Sequence, residues 1–182
     1  MSKIMVLLAE GFEELEAFAP VDLLRRAGAE VQTVSITENT TVTGARGIPA
    51  VADRTLSEAD FEQMDLLILP GGYPGYVNLG KSEAVRRLIL KTYESGKTIA
   101  AICGAPSVLG ALGLLKDKKA TCYPGMEQEL HCKEVLLEKV VEDGNIITSR
   151  GAGTAIDFAL KLIERVISPA KAKEVGESIV YQ

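Results

Sequence analysis

The sequence predicts an α/β fold with a mainly parallel central sheet, and three observations lead to this class. Nearly continuous apolar runs such as Lys3–Ala9 and Asp65–Leu69 are typical of strands that are buried on both faces of a sheet. Segments with the periodicity of amphipathic helices alternate with these strands along the chain. The composition, with 47% hydrophobic and 25% charged residues among 182, is that of an ordinary globular protein. We therefore expect one domain that spans residues 1–182.

The first half of the chain opens with a strand–helix–strand unit. The apolar stripe of Leu15–Ala27 predicts a helix that Gly28 ends, and the alternation in Glu30–Ile36 predicts the second strand. The stretch Thr40–Val51, rich in threonine, glycine and valine, predicts a small β excursion. Ser57 is expected to cap a short helix.

The second half continues the alternation. Helices are predicted over Ser82–Ser95 and Pro106–Leu115, with the strand Lys97–Ile102 between them. The other expected elements are a short strand over Ala120–Tyr123, a hairpin of Val140–Val141 with Ile146–Thr148, and helices over Thr154–Ile167 and Ala170–Gly176. Strands that alternate with helices in this way form a sheet covered on both faces, so we expect a flavodoxin-like sandwich.

Composition and charge exclude several classes of function. The net charge is −5, and lysine and arginine are scattered, so the basic stripe that nucleic-acid binding requires is missing. No apolar stretch approaches the roughly 20 residues of a membrane span, and the N-terminus lacks the pattern of a signal peptide. Three cysteines do not suit a disulfide framework. We therefore expect a soluble, cytoplasmic protein without a nucleic-acid site.

Cys103 has the sequence context of a nucleophile elbow. It follows a predicted strand, and small residues stand two positions before and after it, at Ala101 and Ala105. Pro106 suits the first position of the helix that follows, where the dipole favours a thiolate. The backbone N–H of Gly104 is then a candidate oxyanion donor. The alternative is an inert buried thiol, which the elbow context disfavours.

Two other strand ends carry candidate site residues, because ligands bind beyond the carboxyl ends of the strands in an open α/β sheet. Gly72 follows the strand that begins at Asp65, and its N–H is a candidate second oxyanion donor rather than only part of a turn. Glu16 follows the first strand and stands between apolar neighbours, which predicts that it faces inward. Burial near a thiolate would raise its pKa and let it carry a proton.

The remaining polar candidates have weaker signals. His131 is the only histidine, and we expect it at the surface rather than as the base of a cysteine peptidase. Cys122, His131 and Cys132 lack the paired spacing of a zinc site. The glycine-rich turn Ser149–Thr154 lacks the lysine of a phosphate-binding loop. The sequence therefore predicts neither a metal nor a cofactor.

Together these residues resemble the ThiJ/PfpI superfamily, in particular its parkinsonism-associated (DJ-one) branch. The resemblance covers nearly the whole chain and is carried by five segments, Glu10–Glu16, Pro20–Gly28, Leu69–Gly72, Ile99–Pro106 and Thr148–Thr154. It implies a flavodoxin-like homodimer that needs no cofactor. It also implies that Cys103 is the nucleophile, Glu16 its hydrogen-bonded glutamic acid, and the N–H groups of Gly72 and Gly104 the oxyanion donors.

Two functions follow from this resemblance, since members of the branch are described both as enzymes and as sensors. The first is a glutathione-independent glyoxalase or deglycase that acts on methylglyoxal, glyoxal or their early adducts. The second is a redox-sensing chaperone whose Cys103 is oxidised to a sulfinate. The branch often has a histidine where this chain has Tyr123, and a tyrosine donates a hydrogen bond but accepts protons poorly. We count Tyr123 and Arg150 as candidate contacts for the substrate or for proton relay.

Overall fold

A seven-stranded sheet runs through the computed structural model, which describes residues 1–181. The strands are β1 (Lys3–Leu8), β2 (Glu30–Ser35), β3 (Thr41–Thr43), β4 (Pro49–Val51), β5 (Arg54–Thr55), β6 (Leu66–Leu69), β7 (Thr98–Ile102), β8 (Lys119–Ala120), β9 (Glu134–Val135), β10 (Val140–Asp143) and β11 (Ile146–Ser149). The α-helices are α1 (Glu14–Arg26), α2 (Gly75–Lys81), α3 (Glu83–Glu94), α4 (Pro106–Ala111), α5 (Ala155–Val166) and α6 (Pro169–Ser178). Short 3₁₀ helices cover Glu127–Leu130 and Ala152–Thr154.

The strand order in the large sheet is β10–β11–β7–β6–β1–β2–β5. Every pair in it is parallel except β10–β11, the antiparallel pair at one edge. From β1 the chain moves to β2 on one side and returns to β6 on the other, so the strand order switches between β1 and β6. Open α/β sheets bind ligands beyond the carboxyl ends of the strands at such a switch. The predicted α/β class with a mainly parallel sheet is confirmed.

Helices cover both faces of the sheet because its central strands are apolar on both sides. In β1, Ile4 and Val6 pack in one core with α1, α5 and α6, for instance against Phe158. Met5 and Leu7 pack in the opposite core with α3 and α4. Because consecutive side chains of a strand point to opposite faces, an unbroken apolar run is what such a strand requires.

Several element boundaries agree with the sequence prediction and have clear causes. Ser82 caps α3 by accepting a hydrogen bond from the backbone N–H of Val85 at 3.3 Å. Gly28 follows α1 with a φ of 87°, the left-handed conformation that favours glycine after a helix. The predicted hairpin at the sheet edge is β10–β11, with Gly144 in its turn.

Three predicted elements are wrong or too long. The short helix at Ser57 is a turn, in which the Glu58 carboxylate accepts hydrogen bonds from the N–H and hydroxyl of Thr55. The helix that starts at Pro106 ends at Ala111 rather than at Leu115, and Gly113 follows with a φ of 75°. The hydrogen bonds of the Glu58 side chain and the left-handed conformation of Gly113 both compete locally with helix formation.

The predicted strand Ala120–Tyr123 shortens to β8 because its next N–H groups bond elsewhere. The N–H of Thr121 donates to the hydroxyl of Thr148 at 3.0 Å, and the N–H of Tyr123 donates to the carbonyl of Cys103 at 2.9 Å. The helix α2 has no counterpart in the sequence prediction, which places only a glycine-rich turn just before this segment. Within residues 1–181, no helix is both long and apolar enough to cross a membrane.

Candidate active site

Cys103 lies on a sharp turn between β7 and α4, as its sequence context predicts. Its φ is 65°, in the left-handed region that residues other than glycine seldom adopt. The conformation is held at both ends, because the Cys103 N–H donates to the carbonyl of Ser149 at 3.0 Å and its carbonyl accepts from the N–H of Tyr123 at 2.9 Å. The turn therefore presents the thiol at the carboxyl edge of the sheet.

Glu16 reaches the same place from the first turn of α1. The Glu13 carboxylate accepts a hydrogen bond from the Glu16 N–H at 2.9 Å and so caps the start of the helix. The Glu16 side chain is only 1% exposed, which confirms that it faces inward. Its Oε2 accepts a hydrogen bond from the N–H of Gly71 at 2.9 Å. The carboxyl group also lies close enough to the thiol of Cys103 for each group to shift the pKa of the other.

Gly71 makes this meeting of carboxyl and thiol possible because it has no side chain. A Cβ placed there would lie 2.5 Å from Glu16 Oε2 and 2.6 Å from Cys103 Cβ. Both groups thus pack directly against the same backbone atom. Any other residue at this position would push the carboxyl group and the thiol apart.

Burial raises the pKa of the Glu16 carboxyl group to about 7. The hydrogen bond with Cys103 and the N–H groups of Gly71 and Ala152 lower it by smaller amounts. Glu16 is therefore protonated below neutral pH and can donate a hydrogen bond there.

Burial also raises the pKa of the Cys103 thiol, to about 12, and the Glu16 carboxylate charge adds to this effect. The N–H groups of Gly72 and Gly104 lower it. The effect of burial on this thiol pKa outweighs that of the helix N-terminus, since α4 has only six residues. Because the two groups interact directly, they titrate as a pair, and the pair holds one proton after its first ionisation.

The two predicted oxyanion donors converge on the sulfur. The N–H groups of Gly72 and Gly104 both lie close enough to the Cys103 thiol to lower its pKa. Gly72 has a φ of 88°, and a Cβ at Gly104 would lie 2.6 Å from the ring of Tyr76. Glycine at Gly104 therefore lets the Tyr76 ring pack against the elbow, and glycine at Gly72 allows the left-handed turn there. An oxygen formed on a carbon bound to this sulfur would lie near two donors.

A cavity of about 560 Å³ opens above the thiol. Five sequence-predicted residues line it, Glu16, Gly72, Cys103, Gly104 and Tyr123. The structure adds others that the sequence analysis did not single out, chiefly Glu13, Arg46, Tyr73, Tyr76 and Met126. No local pattern identifies Arg46, which reaches the cavity from the loop between β3 and β4. Tyr76 could have been found from its position four residues after Gly72.

Two other candidates lie outside this cavity. Arg150 is not among its lining residues, and its guanidinium donates to the carbonyl of Leu137 at 3.4 Å. His131 is exposed and lines a separate, smaller cavity behind Tyr76. Within the described part of the chain, no three His, Cys, Asp or Glu side chains are grouped to hold a metal ion. The groups next to the Cys103 sulfur are the Glu16 carboxyl group and backbone N–H groups.

Comparisons with known proteins agree with this geometry. The model of the DJ-1/PfpI family matches residues 2–165. Protein DJ-1 homolog B of Arabidopsis thaliana is 39% identical over 99% of this chain and 42% of its own length, so the chain spans less than half of that relative. The deglycase PH1704 of Pyrococcus horikoshii is 35% identical over 81% of this chain and 89% of its own length.

Solved structures share the whole architecture. A mutant of the DJ-1 superfamily protein STM1931 from Salmonella typhimurium superposes with a TM-score of 0.96 at 40% identity, with 100% of each chain covered. The oxidised DJ-1 of Toxoplasma gondii gives a TM-score of 0.96 at 36% identity, with 100% of this chain and 99% of that chain covered. With the family model matched over most of its length and relatives identical at more than a third of positions, this chain belongs to the DJ-1/PfpI family.

Proposed function

We propose that this protein is a cofactor-independent glyoxalase or deglycase that acts on methylglyoxal, glyoxal or their early adducts with proteins and nucleotides. The observation that carries the proposal is the Cys103 thiol, which packs against Gly71 together with the buried Glu16 carboxyl group and lies near the N–H groups of Gly72 and Gly104. Membership of a family that includes a protein named as a deglycase supports it. In this role the protein defends the cytoplasm against carbonyl and oxidative stress.

The first step joins Cys103 to the aldehyde. With one proton on the pair, the Glu16 carboxylate takes that proton from the sulfur, and the resulting thiolate attacks the aldehyde carbon. The C=O bond opens, and the new oxyanion lies against the N–H groups of Gly72 and Gly104. The oxyanion then takes the proton from Glu16, which leaves a neutral hemithioacetal and a carboxylate.

The second step moves a proton between adjacent carbons. The Glu16 carboxylate removes the hydrogen of the former aldehyde carbon as a proton, and the electron pair forms an enediolate with the neighbouring ketone. Glu16 returns this proton to the ketone carbon, and the hydroxyl proton of the first carbon passes to the enolate oxygen, so the first carbon becomes a thioester and the second an alcohol. Water cleaves the thioester, releases a 2-hydroxy acid such as lactate and restores the thiol. One aldehyde and one water are consumed, and no cofactor takes part.

An adduct of an amine enters the same sequence. The Cys103 sulfur replaces the amine at the hemiaminal carbon, and the amine leaves with the proton of Glu16. The product is the same hemithioacetal together with the repaired amine. Tyr123, half-exposed in the cavity lining, would donate a hydrogen bond to the substrate carbonyl but would not replace Glu16 as the base.

The test is lactate formation from methylglyoxal without glutathione. We expect Cys103→Ala to lower the rate at least about 100-fold. Cys132→Ala, which changes a half-buried thiol outside the cavity, should leave it within about twofold. Equal inactivity of the wild type and of Cys103→Ala would remove the enzymatic proposal.

The second candidate function is a redox-sensing chaperone, and the ring of donors around the Cys103 sulfur favours it. Two equivalents of peroxide convert the thiolate to a sulfinate, each losing one oxygen to sulfur and leaving as water. Protonated Glu16 and the Gly72 N–H would hold the new oxygens. Mild peroxide should add two oxygens to Cys103 alone in peptide mass spectra, whereas uniform oxidation of all three cysteines would contradict this role.

We also propose that the protein works as a homodimer. Leu15 is 60% exposed and Ile48 55% exposed, although both are large and apolar. Their elements are neighbours, because the Arg46 N–H donates to the Glu14 carboxylate at 2.8 Å and so fixes the β3–β4 loop against the start of α1. Leu15→Glu should convert the dimer to a monomer in light scattering, and an unchanged mass would argue against this surface.

A further inference from the structure

Aromatic side chains concentrate at the cavity above Cys103. The chain has only nine aromatic residues, five tyrosines and four phenylalanines, and no tryptophan. Three of the five tyrosines, Tyr73, Tyr76 and Tyr123, line this one cavity. Tyr73 is 74% exposed and Tyr123 51% exposed, so neither ring is needed to fill the protein core. Exposed aromatic rings around a reactive group commonly recognise a ligand.

Tyr76 is fixed against both oxyanion donors. Its backbone N–H donates to the carbonyl of Gly72 at 2.9 Å. Its ring packs on Gly104 so closely that a Cβ there would lie 2.6–2.9 Å from three ring atoms. The ring therefore borders the space where a carbonyl group bound to Cys103 would stand. The ring of Tyr73 lies beside it, with 6.4 Å between centroids and a tilt of 57°.

Tyr123 borders the other reacting group. Its backbone N–H donates to the carbonyl of Cys103, which fixes the start of its side chain next to the elbow. Its ring lies about 3.4 Å from where a Cβ of Gly151 would be, and Glu16 Oε1 lies 3.9 Å from the same point. One tyrosine ring thus packs against Gly104, and another lies next to Gly151, which also neighbours the carboxyl group of Glu16.

The size of the cavity does not fit methylglyoxal alone. A volume of about 560 Å³ is in the range that holds drug-sized ligands, whereas methylglyoxal has only a methyl group beyond its two carbonyls. We propose that Tyr76 and Tyr123 form an aryl subsite beside Cys103, and that the substrates include α-oxoaldehydes whose ketone carries a planar aromatic ring. This inference rests on the proposed function for its chemistry and extends it by naming the substrate class.

The reaction on such a substrate balances as it does for methylglyoxal. Phenylglyoxal and one water give mandelate, as the aldehyde carbon is oxidised to a carboxylate and the ketone carbon is reduced to an alcohol. The aromatic ring is a spectator in both steps. Its contribution is to hold the dicarbonyl group over Cys103 by offset or edge-to-face contacts with the two tyrosine rings.

The kinetic test compares phenylglyoxal with cyclohexylglyoxal, which has a ring of similar size without an aromatic face. The measured quantity is the ratio of the two kcat/KM values, because intrinsic differences in reactivity cancel when this ratio is compared between variants. We expect Tyr76→Ala together with Tyr123→Ala to lower the ratio about tenfold. Tyr76→Phe with Tyr123→Phe keeps both rings and should keep the ratio within about twofold. An unchanged ratio in the double alanine variant would overturn the aryl subsite.

A binding arm separates this inference from the proposed function. Calorimetry on Cys103→Ala should show that mandelate binds at least about fivefold more tightly than its cyclohexyl analogue, and that the two alanine replacements remove the difference. Mandelate selectivity without turnover of any aldehyde would support the aryl subsite and contradict the glyoxalase reaction. Turnover of methylglyoxal with no aryl selectivity in either measurement would support the glyoxalase reaction and contradict the aryl subsite.

Discussion

Burial raises the pKa of all three thiols in this protein, that of Cys103 to about 12 and that of Cys122 to about 11. Cys122 is 3% exposed and packs in an apolar cluster with Ala120 and Leu130. Around Cys103, by contrast, stand a carboxyl group able to share a proton and two N–H groups directed at the sulfur. The Glu127 carboxylate near Cys122 only raises the thiol pKa further.

The difference teaches that burial alone makes a thiol inert, whereas burial beside a proton carrier makes a reactive pair. A buried negative charge is costly on either group alone. The pair can carry a single negative charge, because the one remaining proton is shared between the carboxyl group and the thiol. The backbone contributes as well, since Cys103 stands on a left-handed turn and Cys122 does not. Each of these distinctions can be removed by a single substitution.

The largest expected effect comes from separating the pair without changing either group. Gly71→Ala places a Cβ within 2.6 Å of both Glu16 Oε2 and Cys103 Cβ, so the two side chains must move apart. We expect lactate formation from methylglyoxal to fall about 100-fold, as for loss of acid–base catalysis. Gly153→Ala is the control, since a Cβ there meets nothing within 4 Å. Equal activity of the two variants would show that the close contact at Gly71 is unimportant.

The next effect is the loss of folding stability that the buried Glu16 carboxyl group causes at pH values above its ordinary pKa. Its pKa is about 7 in the fold against 4.5 when unfolded, so the wild type is fully stable with respect to this group below pH 4.5 and loses stability as pH rises to about 7. Glu16→Gln should therefore stabilise the protein by up to about 3 kcal/mol at pH 8 and by little at pH 4.5. Urea unfolding at both values measures this. A gain that does not depend on pH would contradict a raised pKa.

The smallest effect is a reversal of sign between the two thiol positions. Cys103→Gly should be about 1 kcal/mol more stable than Cys103→Ala, because only glycine adopts a φ of 65° without strain. Cys122→Gly should instead be about 1 kcal/mol less stable than Cys122→Ala. Glycine loses more conformational entropy on folding than alanine does, and at this position no left-handed strain is relieved in return. Thermal unfolding of the four variants tests the pair of signs. The same sign at both positions would mean that the turn at Cys103 is unstrained.

Sequence reasoning identified the parts of this site that have local causes. Small residues on both sides of Cys103 require a sharp turn, and the apolar neighbours of Glu16 require it to face inward. Tyr76 and Arg46 have no such local cause. Tyr76 reaches the cavity from the unpredicted helix α2, and Arg46 reaches it from a distant hairpin loop. The thiol pKa has no local signal in the sequence because it depends on burial and on Glu16, which lies far away along the chain.

The boundaries of the fold failed for a similar reason. The strand at Ala120 stops early because the N–H of Tyr123 donates to the carbonyl of Cys103, a contact that no local pattern contains. The helix predicted at Ser57 does not form, because the Glu58 carboxylate accepts hydrogen bonds from Thr55 that hold the segment in a turn. Long apolar strands and strongly periodic helices were predicted well, since burial fixes their type.

The central claim is that Cys103 and Glu16 share one proton, and the pH dependence of Cys103 alkylation tests it most directly. Iodoacetamide labelling read by peptide mass should rise through an apparent pKa near 7 in the wild type, while Cys122 in the same molecule stays unlabelled. Glu16→Leu removes the proton carrier and leaves burial, so the profile of Cys103 should move above 9, the ordinary value for a thiol. Identical profiles in the two proteins would contradict the shared proton.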